Sequence, residues 1–246
     1  MSKEAEKGYL SAIGQDGRRH SLLKPFSDEY CGINLASIGF IMSLLPPPPA
    51  RILDFGCGGG WTSIFLALRG YQVTGQDIAP DMIDLARENR IRNGLTSDRV
   101  DFICSDFESF EGTGEFDGAI FFDCLHHADD EALAIRTAYA ALKPGGLLIT
   151  HEPGEGHSTN PRSIAAMEQF GVNERDMPPK LIVKRGMEAG FVGYRVLPAP
   201  ERLFYSFYGK RNHRALSTSR YRLIRNVIRM LVKPNMAGSA VVVLEK

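Results

Sequence analysis

Short, mostly apolar runs alternate along the chain with longer segments whose apolar residues recur at helical spacing. Runs of strand length bounded by glycine, proline or polar residues indicate buried strands, and the segments between them indicate helices. An alternation of strands and helices is typical of a parallel sheet with helices on its faces. The predicted strands lie within 52–55, 71–77, 99–106, 115–127, 142–151, 191–197 and 238–245.

Residues 1–49 precede the first of these strands and have a pattern of their own. The segment 2–13 is compatible with a helix, and the acidic start at Ser27 predicts a second helix that continues to Leu45. The four prolines at 46–49 then form a stiff, extended spacer. We expect a helical cap here, which either lies over a ligand or only packs on the core.

A glycine-rich turn follows the first strand. Glycine stands at positions 56, 58, 59 and 60, and the run from Trp61 to Leu68 predicts a helix that ends before Gly70. A strand, a glycine turn and a helix in this order place backbone N–H groups at a helix N-terminus, where carboxylate or phosphate groups bind. A dinucleotide fingerprint counted from Gly56 needs a small residue at position 61, where the bulky Trp61 stands.

The same turn carries a different pattern, Asp54-x-Gly56-x-Gly58-x-Gly60. This pattern resembles motif I of the class I S-adenosylmethionine-dependent methyltransferases. The resemblance implies an α/β fold with a Rossmann-like, seven-stranded, mostly parallel sheet, helices on both faces and an antiparallel last strand. It implies a methyltransferase domain over 50–246, with insertions at about 152–178 and 201–236.

The resemblance also implies S-adenosylmethionine as cofactor, with S-adenosylhomocysteine as product. It places the acid of the first motif, directly or through water, at the amino group of the methionine part. Acids that end the second and third strands serve the ribose hydroxyls and the adenine amine, and a carbonyl after the fourth strand receives the methionine ammonium. The implied cofactor residues are Asp54, Gly56, Cys57, Gly58, Asp77, Ile78, Met82, Asp106, Phe107 and Phe122.

Two further segments narrow the resemblance. The turn Leu142-Lys-Pro-Gly-Gly before the fifth strand is common in these methyltransferases and foreign to dinucleotide-binding proteins. The segment Phe116-Asp…Leu125-His-His is similar to that of the small-molecule branch, including the ubiquinone and menaquinone biosynthesis methyltransferases. A base is needed only where the acceptor is protonated, and His126, His151 and His157 are the candidate catalytic residues. We expect no metal.

Composition narrows the function further. A length of 246 residues suits one α/β domain with additions, and 29 basic against 29 acidic residues give no global field for nucleic acid. The N-terminus carries charges of both signs, which predicts no signal peptide, and the apolar stretch 33–45 is too short to cross a bilayer. We therefore expect a cytoplasmic protein that binds no nucleic acid.

The segment 201–236 departs from this balance, because it contains no acidic residue after position 201. Its apolar residues from Tyr221 to Leu231 predict a helix. Two interpretations stay open: a docked helix with a solvated basic face, or a site for an anionic or lipid-linked acceptor or a membrane surface. The basic residues are Lys210, Arg211, Arg214, Arg220, Arg222, Arg225, Arg229 and Lys233.

Together these features predict an S-adenosylmethionine-dependent methyltransferase that moves a methyl group to an O or N atom of a small acceptor. The acceptor is expected to be anionic or lipid-linked if the basic insertion serves it. A nicotinamide-dependent oxidoreductase and a non-catalytic S-adenosylmethionine-binding protein are the alternatives. The acceptor atom and the oligomeric state stay open.

Overall fold

A computed structural model of the protein describes residues 2–208, 220–232 and 238–246. The strands are β1 Arg51–Phe55, β2 Gln72–Asp77, β3 Val100–Cys104, β4 Phe116–Phe122, β5 Leu142–Glu152, β6 Gly193–Pro198 and β7 Ala240–Glu245. The helices are α1 Ser2–Leu23, α2 Cys31–Leu44, α3 Trp61–Arg69, α4 Pro80–Arg92, α5 Glu131–Ala141, α6 Pro161–Phe170, α7 Pro179–Ala189, α8 Pro200–Tyr208 and α9 Arg220–Val232.

The strands form one sheet in the order β3-β2-β1-β4-β5-β7-β6. The pairs β1–β2, β2–β3, β1–β4 and β4–β5 are parallel, whereas β7 runs antiparallel to both β5 and β6. The chain order reverses between β1 and β4, and ligands of open α/β sheets bind beyond the strand ends at such a switch point. The predicted Rossmann-like sheet with an antiparallel last strand is confirmed.

The core has two layers because alternate strand residues point to opposite faces. In β1, Leu53 and Phe55 join the layer formed with α5 and α7, while Ile52 joins the layer formed with α2, α3 and α4. All three side chains are fully buried. The central strands are therefore apolar on both faces, which explains why their runs lack a polar alternation.

Helix α1 is longer than the sequence predicted and lies along α4. It has a break at Gly14, whose φ of 66° and ψ of −162° are not helical, and then continues to Leu23. Arg18 pairs with Glu88 at 2.5 Å, which fixes the second half of α1 to α4. The N-terminal region therefore lies over the strand ends on the side of the sheet where α4 packs.

The predicted start of the second helix at Ser27 is wrong, because α2 begins at Cys31. Ser27 donates its hydroxyl to the carbonyl oxygen of His20 at 2.7 Å, so its oxygen does not cap a helix. The Asp28 carboxylate accepts the N–H of Tyr30 at 2.7 Å, a local turn that competes with helix formation.

Both predicted insertions contain helices. Helix α6 lies within 152–178, α9 lies within 201–236, and α8 begins one residue before that second range. Of the expected basic residues, Lys210, Arg211, Arg214 and Lys233 and the side chains of Arg220 and Arg222 lie outside the described part of the structure. Within the described ranges, no helix combines the length and apolar character needed to cross a membrane.

Gly60 offers a test of how closely α3, α4 and β3 pack. Its φ is +79°, and a Cβ atom there would lie 2.9 Å from Ala86 Cβ and 2.9 Å from Phe102 Cζ. We expect Gly60→Ala to lower the free energy of unfolding by about 2 to 4 kcal/mol, from backbone strain and overpacking together. Urea unfolding followed by circular dichroism measures the change.

The matched control is Gly94→Ala, where φ is +66° but a Cβ atom meets nothing within 4 Å in the described structure. Backbone strain alone should cost it about 1 kcal/mol. Equal losses in the two variants would show that the packing around Gly60 contributes nothing.

Candidate active site

Two adjoining cavities lie at the carboxyl ends of β1, β2 and β4. The first has a volume of about 400 Å³ and extends from Asp77 past Phe107 to His126. The second has a volume of about 420 Å³ and extends from Cys57 past Phe122 to His151. Six residues line both cavities and mark where they meet: Tyr9, Lys24, Gly56, Gly58, Met82 and Asp123.

The glycine turn between β1 and α3 forms the floor that the cavities share. Gly56 and Gly58 have φ angles of 63° and 51°, which L side chains rarely adopt. A Cβ atom at Gly58 would meet no described atom within 4 Å, so the space before it is open to a ligand. The turn therefore lets a ligand approach the main chain closely.

Most amide groups of this turn are already engaged. The N–H of Cys57 donates to the carbonyl oxygen of Gln76 at 2.9 Å, and the N–H of Gly58 donates to Asp77 Oδ2 at 2.8 Å. The N–H of Gly60 donates to the carbonyl oxygen of Cys57 at 2.9 Å. The turn is thus a surface for close approach, and the anion-binding amides that the sequence suggested are largely used within the protein.

Asp54 lies behind the turn and is fully buried. Its Oδ2 accepts the hydroxyls of Thr62 at 2.6 Å and Ser63 at 2.5 Å, at the start of α3. Its Oδ1 has no partner among the described residues, and Asp54 is absent from the described linings of both cavities. The expected contact of Asp54 with a cofactor stays a prediction, while its visible role is to hold the first turn of α3.

Asp77 ends β2 and lines the first cavity beside Ile78 and Met82. Its two oxygens accept the N–H groups of Gly58 at 2.8 Å and Ala79 at 2.9 Å. Burial raises the pKa of Asp77, and these two hydrogen bonds oppose that rise. Each oxygen keeps a second lone pair, so the carboxylate can still accept hydroxyl groups from the cavity.

Asp106 and Phe107 line the first cavity at the far side of Asp77. Asp106 Oδ2 lies 3.1 Å from Lys3 Nζ of α1, and its Oδ1 accepts the N–H of Ser109 at 2.7 Å. Although partial burial opposes ionisation, these partners hold the pKa of Asp106 below its usual range. The N-terminal helix therefore closes over this end of the cavity by an ion pair that sequence reasoning did not foresee.

The second cavity contains His151 and Phe122, whose rings stack at a centroid distance of 4.9 Å. Both ring nitrogens of His151 are buried and have no hydrogen-bond partner in the described structure. Trp61 packs edge-on against Phe122 at 5.4 Å, and Glu201 of α8 lines the same cavity. His151 therefore has unused hydrogen-bonding capacity between an aromatic wall and a carboxylate.

The first cavity gathers two other histidines. The rings of His126 and His157 lie 4.8 Å apart, and His151 lies in the other cavity. His157 Nε2 lies 2.5 Å from Glu174 Oε2, and that carboxylate raises the pKa of His157. Sequence reasoning missed Glu174, because only the packing of the 171–178 segment brings it to the site.

Asp123 stands where the cavities meet and has a φ of +56°, the left-handed region. Such backbone strain in a residue other than glycine often marks a functional position. Burial opposes ionisation of this carboxyl, but His126, His151 and Lys24 outweigh it and lower the pKa of Asp123. A carboxylate thus faces both cavities beside the residues predicted for catalysis.

Two groups of residues in this region have ligand atoms close enough for a metal ion, within 4.8 Å of one another. They are His126, His127 and Glu174, and Asp123, His126 and Glu152. However, His127 Nδ1 lies 2.6 Å from a carbonyl oxygen of Asn173, and His126 Nδ1 lies 2.8 Å from Glu152. An Nδ1 atom that donates its proton in such a contact has no lone pair for a metal, but the Nε2 atom of the same ring keeps one, so the expectation of no metal stays a prediction.

Residues 52–146 match a family model described as a methyltransferase domain. This region of the chain is therefore similar to a methyltransferase domain. The matched region includes the glycine turn, Asp77, Asp106 and the His126 turn, so it contains most of the residues that line the first cavity. The match supports the methyltransferase interpretation of the sequence and gives no support to a nicotinamide-dependent oxidoreductase.

The chain is also similar to curated methyltransferases. A ubiquinone biosynthesis O-methyltransferase of Xanthomonas axonopodis pv. citri is 36% identical over 119 residues, which are 48% of this chain and 48% of that protein. The chain therefore spans about half the length of the curated relatives it matches.

Solved structures share the fold at low identity. The geranyl diphosphate C-methyltransferase of Streptomyces coelicolor, in complex with Mg²⁺, geranyl-S-thiolodiphosphate and S-adenosylhomocysteine, has a TM-score of 0.66 at 14% identity, over 99% of this chain and 97% of that chain. The cyclase SpnF has a TM-score of 0.59 at 20% identity, over 89% of this chain and 82% of that chain. These likenesses confirm the fold, and the cyclase shows that one fold serves more than one reaction.

Asp54 allows a test of the electrostatics behind the turn. Burial raises its pKa to about 6, although hydrogen bonds from Ser63 and Thr62 oppose the rise. The folded protein therefore binds the proton of Asp54 more tightly than the unfolded chain does. This tighter binding adds to the free energy of unfolding at low pH, and the added stability is lost as pH rises from about 4 through 6. We expect that loss to be about 3 kcal/mol.

Urea unfolding of the wild type and of Asp54→Asn between pH 4 and pH 7.5 measures this contribution, because the amide does not titrate. The wild type should lose stability relative to the variant as pH rises. Parallel stability curves for the two proteins would contradict a raised pKa for Asp54.

Proposed function

We propose that this chain binds S-adenosylmethionine across both cavities and transfers its methyl group to an O or N atom of a small-molecule acceptor. The single observation that carries the proposal is the continuity of the site. The left-handed glycine turn at Gly56 and Gly58 joins a cavity that ends in the Asp77 carboxylate to a cavity lined by Phe122 and His151.

The first cavity suits the adenosine part of the cofactor. Asp77 offers lone pairs to two ribose hydroxyls, Ile78 and Phe107 provide apolar surfaces on the lining, and Asp106 is the acceptor predicted for the adenine amine. Because Lys3 pairs with Asp106, the amine would share that carboxylate with α1 or displace the lysine. The methionine part would then lie over Gly58, toward the carbonyl of Phe122.

S-adenosylmethionine supplies a methyl group on a sulfonium sulfur, which an acceptor atom attacks in line. The protein accelerates such a displacement mainly by alignment, because orientation replaces a bimolecular encounter. Lys24, Tyr9 and Asp123 lie where the cavities meet, so they surround the place where the two reactants would come together. A hydroxyl or ammonium acceptor also needs a base, for which His126, His151 and His157 are the proposed residues.

The named relatives are consistent with a small acceptor. The curated relative is a ubiquinone biosynthesis O-methyltransferase, and the structural neighbour from Streptomyces coelicolor acts on geranyl diphosphate as a C-methyltransferase. We propose oxygen first as the acceptor atom, because the curated relative is named as an O-methyltransferase. Nitrogen is the alternative.

Asp77 is the sharpest test of the cofactor site. We expect Asp77→Ala to weaken S-adenosylmethionine binding more than about tenfold, since two hydroxyls lose a charged acceptor and the glycine turn loses its tie to β2. Isothermal titration calorimetry measures the affinity, and thermal unfolding checks that the variant folds.

Asp84→Ala is the matched control, because Asp84 lies on α4 with a side chain that is 77% exposed. Its affinity for S-adenosylmethionine should equal that of the wild type. Unchanged affinity in Asp77→Ala would remove Asp77 from the cofactor site. Binding of the cofactor without release of S-adenosylhomocysteine, across a panel of phenols and amines, would favour a non-catalytic binding protein.

We also propose that the basic insertion contacts an anionic surface, as part of a lipid-linked acceptor or of the membrane that carries it. In α9, four apolar side chains are exposed, by 53% to 72%, at Tyr221, Ile224, Ile228 and Val232. At 100° per residue these positions fall within an arc of about 80°. Arg225 and Arg229 are exposed beside that arc, which is the pattern of a helix that lies on an anionic membrane.

The position of α9 supports the same proposal. Helix α9 contacts α8, and α8 carries Glu201 into the lining of the second cavity. Leu203 and Phe204 of α8 are also exposed, so the apolar surface continues toward that cavity. An acceptor held at an anionic surface would therefore reach the second cavity from the α8 side.

Replacing Arg225 and Arg229 together by Gln should weaken binding to vesicles that contain phosphatidylglycerol, with the largest loss at low salt, where screening is weakest. Vesicle co-sedimentation measures it, with phosphatidylcholine vesicles as the neutral comparison. Arg69→Gln with Arg136→Gln, two exposed arginines elsewhere, is the control pair. Unchanged vesicle binding at every ionic strength would leave only a solvated basic face.

A further inference from the structure

Glu152, the last residue of β5, is a buried carboxylate that the sequence did not single out. It is 1% exposed and accepts the backbone N–H groups of Cys124 at 3.1 Å and Leu125 at 2.9 Å through Oε1. Its Oε2 lies 2.8 Å from His126 Nδ1 and 3.4 Å from the backbone N–H of His126. A buried charge persists only with such donors, so Glu152 fixes the whole turn that follows β4.

These contacts also fix the tautomer of His126. A carboxylate oxygen accepts hydrogen bonds and cannot donate them, so Nδ1 must be the donor. The proton of the neutral imidazole therefore belongs on Nδ1. The lone pair is then on Nε2, and His126 lines the first cavity. His126 is only 3% exposed, so water in bulk does not compete for that nitrogen.

Glu174 lies beyond Nε2, between His126 and His157. His126 Nε2 lies 3.7 Å from Glu174 Oε2, which is too long for a hydrogen bond, while His157 Nε2 lies 2.5 Å from the same oxygen. At that distance Glu174 does not engage the Nε2 lone pair in a hydrogen bond. Once His126 is protonated, Glu174 is the nearest group able to stabilise the new charge on that side.

We propose that Glu152 is a positioning residue that holds His126 as the base, with its proton on Nδ1 and its Nε2 lone pair directed at a protic acceptor. This assignment rests on the proposed methyl transfer and identifies the acceptor as one that must lose a proton, such as a hydroxyl compound. The O–H bond of the acceptor breaks as the N–H bond forms on Nε2. The oxygen lone pair forms the new C–O bond, and the C–S electrons remain on sulfur.

The charges around His126 come from several elements. Glu152 of β5, Asp123 after β4, and Glu174 and His157 of the 153–178 segment face it, and His127 is its neighbour along the chain. Burial lowers the pKa of His126, but the hydrogen bond and charge of Glu152 outweigh it, and the result is a raised pKa. The base is therefore expected to become available as pH rises past a value above 6.5.

Side-chain nitrogen NMR on the full chain tests the assignment without an acceptor. Above its pKa, His126 of the wild type should carry its proton on Nδ1. In Glu152→Gln, the amide oxygen should keep the bonds to the Cys124 and Leu125 amides, so its NH₂ group faces Nδ1. We expect the His126 proton to move to Nε2 and its pKa to fall by about one unit or more.

Glu155→Gln is the matched control, because Glu155 follows on the same segment but pairs with Lys180 at the surface. It should leave the tautomer and pKa of His126 unchanged. A wild-type His126 with its proton on Nε2 would overturn the assignment. An unchanged tautomer and pKa in Glu152→Gln would overturn it as well.

Two outcomes separate this inference from the proposed function. If Glu152→Gln does not fold, the wild-type tautomer alone decides, since Nδ1–H supports the assignment and Nε2–H rejects it. If the wild type fails to bind S-adenosylmethionine in calorimetry, the proposed function fails while the NMR result still reports on Glu152. If the wild type binds S-adenosylmethionine and its His126 carries the proton on Nδ1, Glu152→Gln should bind the cofactor normally.

Discussion

The shape of the first cavity depends on the carboxylate of Asp77. Its two oxygens accept amide groups from Gly58 in the glycine turn and from Ala79 before α4. The carboxylate thereby fixes the end of β2, the turn after β1 and the start of α4 relative to one another. Because the turn and the β2 end line the same cavity, this constraint sets the shape that a ligand meets.

A second constraint comes from groups buried beneath that surface. Asp54 holds the first turn of α3 through Thr62 and Ser63, and Glu152 holds the turn after β4 through three amides and His126. Both carboxylates are almost wholly inaccessible to solvent. Each places a functional turn at a strand end, where a small shift of backbone would move the cavity lining.

The N-terminal helix and the basic insertion add further residues to the linings of the two cavities. Lys3 of α1 pairs with Asp106 and Glu108 at 3.1 Å, so the first helix closes the Asp106 end of the first cavity. Glu201 of α8 lines the other cavity. The parts of the chain that lie outside the methyltransferase match therefore decide access, while the matched part supplies the floor. We infer that acceptor choice depends on these added helices.

The sequence alone determined the fold, because strands, helices and turns depend on local patterns, while the cofactor residues stay a prediction. Short apolar runs predict strands, and a positive φ favours glycine, so the turn at Gly56, Gly58 and Gly60 could be read directly from the chain. The acids at strand ends were found for the same reason. Trp61 excluded the dinucleotide pattern by its size.

Only the tertiary structure decided which side chains meet. His126 lies 26 residues from Glu152 along the chain, and their contact at 2.8 Å depends on the parallel pairing of β4 with β5. The start of α2 was mispredicted because Ser27 and Asp28 bond to neighbouring backbone instead of capping the helix. Lys3, Glu174 and Glu152 carry no local signal, since the partners of a charged side chain are fixed by packing between distant segments.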